Sequence, residues 1–217
     1  MHIGQSLFHI THQDNLAGMA RTGELLSENE RSRRGVPARV IAMSHVRSRR
    51  ALLPVPLHAG DRVADYVPFH FRPRSLMLYV IQRADHPHLA SHGGQARVVH
   101  LCADLRDVVE WCVSVERAWV FTESNAAEQG VMFHTGLDRL SQLDWRSIAS
   151  PDGRSIHARR TQQAEFLVRD SVPWRLISYV GVFDEAGRRA AERSLEPFDH
   201  RPTIRVRTDG YYGGPVT

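Results

Sequence analysis

"LFHITHQDNL", residues 7–16, decides how the chain starts and what its first elements serve. Leu7, Phe8 and Ile10 read as a short strand, and Asp14 ahead of "NLAGMARTG" predicts an N-capped helix that stops near Gly23. A strand that hands over to a helix brings its last polar side chains, here His9 and Thr11, and the helix's free N–H groups to one space. Such a junction suits an anionic ligand. A surface turn with two solvated histidines is the plainer reading of the same ten residues, and only their context decides between the two.

Outward from that segment, further strands are predicted at 65–71, 75–81, 97–102, 118–122, 164–168, 176–183 and 203–207. Helices are predicted at 14–22, about 44–52, 104–113, 136–144 and 184–194. Short strands and helices without strict βαβ alternation indicate an α+β fold with mainly antiparallel pairing. The 217 residues, 42% hydrophobic and 24% charged, suffice for one sizeable core, and no repeat or low-complexity linker divides them. One domain over residues 1–217 is expected. No run approaches the roughly 18 apolar residues of a membrane span, and the N-terminus lacks a secretory pattern, so the expected compartment is the cytoplasm and no membrane partner is foreseen. Cys102 and Cys112 fit reduced, structural thiols there.

All 28 basic residues are arginine. A GC-rich genome explains much of that bias but not the clustering, in "RSRRGVPAR" (31–39), "RSRR" (47–50) and "RSIHARR" (154–160). Guanidinium forks bind phosphate oxygens bidentately and stack on bases, so with a pI near 9.6 the set points to a nucleic-acid or nucleotide partner. Arg47 and Arg50, three apart, share one face of the 44–52 helix and could hold a pyrophosphate, with Arg49 pointing elsewhere; a solvated basic face is the commoner reading. "RPRS" (72–75) reads as the charged tip of a hairpin. In "QQAEFLV" (162–168) Glu165 shares a strand face with Leu167, opposite Phe166 and Val168. A carboxylate there is costly to bury unless hydrogen-bonded, which makes Glu165 a catalytic candidate. His86, His88 and His92 lack zinc-ligand spacing, and no metal is expected. No Walker A, G-x-G-x-x-G or G-x-S-x-G motif occurs, which removes the usual nucleotide and hydrolase signals.

"FHITHQDNLAGM", "SHVRSRR", "DYVPFHFRPRSLMLY", "WVFTESN", "QLDW", "QQAEFLV" and "DGYY" together, in this order and over nearly the whole chain, resemble the DarT family of DNA ADP-ribosyltransferase toxins. The resemblance implies an ADP-ribosyltransferase-like core of two small, mainly antiparallel sheets flanked by helices, with NAD in the cleft between them. It implies transfer of ADP-ribose to a base of single-stranded DNA, in the best-known branch N3 of thymine, opposed by a macrodomain antitoxin, DarG. NAD contacts carry over to His9, Ile10, Thr11, Gly18, Leu26 and Arg50, within an NAD-binding element spanning about 33–50. The key arginine aligns with Arg50, with Arg49 as the alternative, and the catalytic glutamate with Glu165. Residues from about 120 to 165 match the target-recognition loop, where Arg154, Arg159 and Arg160 are candidate DNA contacts. His70 stands where the family carries a tyrosine. A basic, non-catalytic nucleic-acid-binding module is the alternative, as is a transferase or NAD hydrolase acting on RNA or protein.

Overall fold

The computed structural model describes residues 5–83, 94–150 and 155–213. Within them the chain runs β1 (Ser6–His12), α1 (Leu16–Thr22), β2 (Glu24–Leu26), α2 (Glu28–Arg33), α3 (Ser44–Leu52), β3 (Tyr66–His70), α4 (Leu76–Arg83), β4 (Val98–Asp104), α5 (Leu105–Ser114), β5 (Trp119–Thr122), β6 (Phe133–His134), α6 (Trp145–Ala149), α7 (Ile156–Thr161), β7 (Glu165–Arg169), β8 (Ser171–Pro173), β9 (Ile177–Val182), α8 (Glu185–Leu195) and β10 (Thr203–Val206). Eight strands form one sheet in the order β10-β9-β4-β1-β3-β7-β5-β6, and β2 pairs with β8 in a second, small sheet. The α+β architecture read from the sequence is the one observed, and β10 alongside β9 is the parallel exception to antiparallel pairing.

Strand pairing creates the cleft. β1 pairs with β4 from Ser6↔Asp104 to His12↔Val98, and β3 with β7 from Tyr66↔Arg169 to His70↔Glu165. Between these two halves β1 and β3 share one pair, Phe8↔His70. Beyond it the ladder cannot continue: the Pro68 carbonyl faces β1, and the proline nitrogen on that edge has no hydrogen to donate. The His9 side chain takes the place of a ladder partner, its Nδ1–H donating to the Pro68 carbonyl at 2.8 Å. The two half-sheets of the resemblance are thus joined at one point and splay on the side of His9, Ile10 and Thr11.

Alternation along the strands sorts the core. Val67 and Phe69 of β3 and Phe166 and Val168 of β7 pack with Leu7 and Leu101 beneath Leu16, Leu105, Val108, Cys112, Ala191 and Leu195 from α1, α5 and α8. On the other face, Leu167 and Tyr66 pack with Val55, Val63 and Val120, and Leu78, Ile81, Ile41 and Tyr211 form a cluster around α4. Both cysteines are free and buried.

Three local expectations are corrected. Residues 75–81 are not a strand but the body of α4, so "RPRS" is a strand-to-helix connection rather than a hairpin tip. Ser75 Oγ accepts from Leu78 N at 3.2 Å, and Leu78 and Ile81, three apart, are the buried pair; both features mark a helix start and a helical face. Asp14 is not the cap of α1: the first turn is 3-10, His12 Nδ1 accepts from Asp14 N, and Asn15 precedes α1. The predicted stop holds, with Gly23 left-handed at φ 72°. The 136–144 helix is a 3-10 turn over Leu137–Gln142 followed by α6. His86, His88 and His92 lie outside the described residues.

Leu101 is fully buried in the middle of β4. Leu101→Ala is expected to lower the unfolding free energy by about 2–5 kcal/mol in a urea titration, at unchanged m. His100, also buried, donates from Nε2 to the Pro73 carbonyl at 2.9 Å. Burial pushes its imidazole down to about 4, although the Pro73 carbonyl pulls the other way. Below the ordinary value of about 6.5 the unfolded chain binds a proton that the folded one refuses. The stabilisation from neutral His100 is therefore complete above that pH and is lost as pH falls toward 4. Unfolding free energies of the wild type and His100→Gln, measured across this window, should converge on acidification.

Candidate active site

Glu165 opens β7 on the cleft side, opposite His70, and is 1% exposed. Arg50, in the last turn of α3, meets it with a two-point contact: Nη1 to Oε1 at 3.1 Å and Nη2 to Oε2 at 3.0 Å. A third donor is the backbone N–H of Ala126, at 2.9 Å from Oε1. It is aimed by the turn after β5, where Thr122 Oγ1 donates to the Ser124 carbonyl and Asn125 Oδ1 accepts from Ala127 N. Burial by itself would raise the Glu165 carboxyl; the Arg50 guanidinium and the Ala126 N–H outweigh it and hold the group below the usual carboxylate range. The acid is therefore ionised, and Oε2, with a single donor, keeps acceptor capacity.

A cleft of about 310 Å³ rises from this pair, within the size range of small-ligand sites. Its lining includes His9, Ile10, Thr11, Leu26, Arg50 and Glu165, so six of the seven NAD and catalytic candidates converge. Gly18 is not among the lining residues; it lies in α1 next to Met19, which is. Arg50, not Arg49, reaches the carboxylate, because Arg49 is turned outward and exposed. Arg154 lies outside the described residues. Arg159 and Arg160 are exposed on α7, and Arg160 Nε contacts Glu128 Oε1 at 2.7 Å.

The opposite wall is the extended segment 38–43, fixed by a residue that sequence reasoning passed over. Asn15 accepts from Arg39 N at 2.7 Å and donates from Nδ2 to the Arg39 carbonyl and to Thr11 Oγ1, both at 2.9 Å. Arg47 and Arg31 enter the cleft already paired, both with Glu28 of α2. Two buried nitrogens in the lining have no partner, His70 Nδ1 and Arg47 Nε. Burial lowers the His70 imidazole, with Glu165 opposing and Arg50 adding to the shift, so His70 is neutral. Ala126 and Asn125 carried no signal of their own, one acting through its backbone and the other as an ordinary turn residue. Among the described residues no group of three or more metal-ligating side chains comes together.

This arrangement has known counterparts. A family model described as "ssDNA thymidine ADP-ribosyltransferase, DarT" matches residues 8–212. A DNA ADP-ribosyl transferase of Thermus aquaticus is 37% identical over 210 residues, covering 95% of this chain and 88% of that protein. The solved structure of Thermus sp. 2.9 DarT in complex with ADP-ribosylated ssDNA matches with a TM-score of 0.86 at 33% identity, over 96% of this chain and 97% of that one. The same Thermus protein in complex with NAD+ matches with a TM-score of 0.81 at 32% identity, over 96% and 98%. With the family match running from the first strand of the cleft to the tyrosines that close the described residues, the chain belongs to the DarT family of ssDNA thymidine ADP-ribosyltransferases.

Proposed function

We propose that this chain transfers ADP-ribose from NAD to thymine in single-stranded DNA, releasing nicotinamide, and that Glu165 and Arg50 carry the chemistry. The observation that bears most weight is the buried, ionised Glu165 carboxylate gripped by Arg50 at the cleft floor. Breaking the nicotinamide–ribose bond builds positive charge at the ribose C1. A carboxylate fixed in a site poor in water stabilises that charge far better than one in solvent. Glu165 Oε2 accepts the ribose 2-hydroxyl and holds C1 over the acid. Arg50 keeps the acid ionised and oriented, and its cationic edge faces the incoming base as thymine becomes anionic. A guanidinium holds its own proton too tightly to act as a base, so Arg50 acts as electrostatic stabiliser, and the proton that thymine N3 loses as its bond to C1 forms passes to solvent water.

NAD lies along His9, Ile10, Thr11 and Leu26, with Arg50 at its reactive end. The two orphan nitrogens of the lining fit a polar ligand there, since buried polar atoms ordinarily have partners. The complexes of the Thermus protein with NAD+ and with ADP-ribosylated ssDNA support the same pair of substrates here. Arg154, Arg159 and Arg160 contact the DNA strand, whose single-stranded form presents its bases without the cost of flipping. The chain acts as one catalytic domain in the cytoplasm, as the toxin of a pair whose macrodomain antitoxin removes the modification.

Labelled NAD incubated with thymine-containing single-stranded DNA, duplex DNA, RNA and protein tests this reading: label should enter the single-stranded DNA alone. Glu165→Gln should lower the transfer rate by about 10²–10³-fold or more, the scale for losing a charge-stabilising group, while thermal unfolding stays cooperative. Arg50→Ala should likewise cut turnover by orders of magnitude, with little loss of DNA affinity in a binding titration. In cells, the wild-type gene expressed without antitoxin should arrest growth and the Glu165→Ala gene should not, at matched protein levels. Equal tolerance of both would count against the toxin.

A further inference from the structure

β3 ends at His70, beside the acid, and the next residues carry two arginines that the transfer chemistry does not use. We propose that Arg72, Arg74, Tyr79 and Tyr212 form a nucleotide subsite at the catalytic end of the sheet, taking a phosphodiester and a neighbouring base of the single-stranded DNA that flanks the target thymidine. The subsite rests on the DNA reading above.

Neither arginine has a carboxylate partner among the described residues. The nearby Asp209 is engaged by Arg207, at 2.8 and 2.6 Å. Among the described residues Arg72 makes one polar contact, Nη1 to the Ser150 carbonyl at 3.2 Å, and Arg74 Nε is buried without a partner. Burial lowers the Arg72 guanidinium from its ordinary value, and the like charge of Arg74 adds to the lowering. Two half-buried cations side by side, without a paired anion among the described residues, are costly, and an incoming phosphate relieves that cost. The aromatic half lies against them. Arg74 sits over the Tyr212 ring at 6.0 Å, and Tyr79 meets Tyr212 edge to face at 5.2 Å. Tyr79 is 42% exposed and leaves ring surface for a base. Arginine beside aromatic rings is the pairing that binds single strands with little regard to sequence.

The cluster is held in place before any ligand arrives. His100 fixes the Pro73 carbonyl between the two arginines. Gln95 clamps the Tyr212 backbone from both sides, donating to its carbonyl at 2.6 Å and accepting from its N–H at 3.1 Å. The Tyr212 hydroxyl in turn donates to the Arg74 carbonyl at 3.1 Å. NAD is the less suitable occupant. Its cleft has its own arginines, Arg31 and Arg47, and takes Leu76, Met77 and Val80 of α4 into its lining but none of these four side chains. A phosphate among them therefore belongs to the other substrate.

The test uses the full chain, NAD and a fluorescent oligothymidylate, with Tyr79→Ala, Tyr79→Phe and Arg74→Gln. Tyr79→Ala should raise KM for DNA about tenfold, the worth of one stacked base, and Tyr79→Phe should restore it. Arg74→Gln should weaken oligothymidylate binding by anisotropy and flatten the slope of log affinity against log salt by about 0.7, one phosphate contact. KM for NAD should not follow either change. Wild-type DNA affinity and salt slope in both Tyr79→Ala and Arg74→Gln would overturn the subsite, as would a rise in KM for NAD with KM for DNA unmoved. A wild-type protein that modifies no single-stranded DNA would overturn the functional reading instead, and the anisotropy comparison would still decide the subsite.

Discussion

A buried negative charge must be compensated from several directions at once, and Glu165 sets that demand on the rest of the molecule. One ion pair in a site of low dielectric does not reliably offset the desolvation of its partners; additional hydrogen bonds must complete the shell. Here three separate stretches of chain meet: β7 supplies the acid, and the donors come from α3, as a guanidinium, and from the turn after β5, as a backbone N–H. Those stretches can converge only because β3, β7 and β5 are adjacent and because the ladder between β1 and β3 stops after one pair. A continuous ladder would close the space in which the ligand has to lie.

The arginines follow the same economy of charge. Arg47 and Arg50 do share a helix face, as their spacing requires, yet each meets its own carboxylate, Glu28 and Glu165. A substrate phosphate entering the cleft thus competes with Glu28 for Arg31 and Arg47 rather than finding bare cations. Such pairing lets a strongly basic chain keep positive groups against an apolar wall without leaving them as isolated buried charges.

Much of this was legible in the sequence, and the exceptions have physical causes. Period-two alternation identified β7 and put Glu165 with Leu167 on one face, which is where both lie. The helical phase that sets Arg49 apart from Arg47 and Arg50 was also sound. Residues 75–81 failed because a short apolar run satisfies both periods; the serine cap and the Leu78–Ile81 spacing were the arbiters, and they favoured a helix. Strands of two or three residues, such as β2, β6 and β8, carry too few side chains for a pattern. The Ala126 contact was invisible for a different reason, since a backbone donor has no residue signature. Asn15 was visible only as a helix-start residue, although its side chain ties the 38–43 segment to β1.

That the turn after β5 serves the acid through its main chain has an evolutionary consequence. Position 126 is small and buried, and the contact forbids only a residue without an N–H. Neither Gln129 nor Met132, exposed side chains around it, is among the groups that hold Glu165. They are free to drift. A lineage could substitute these positions one at a time, each step leaving the backbone hydrogen bond to Glu165, and with it the floor of the cleft, intact.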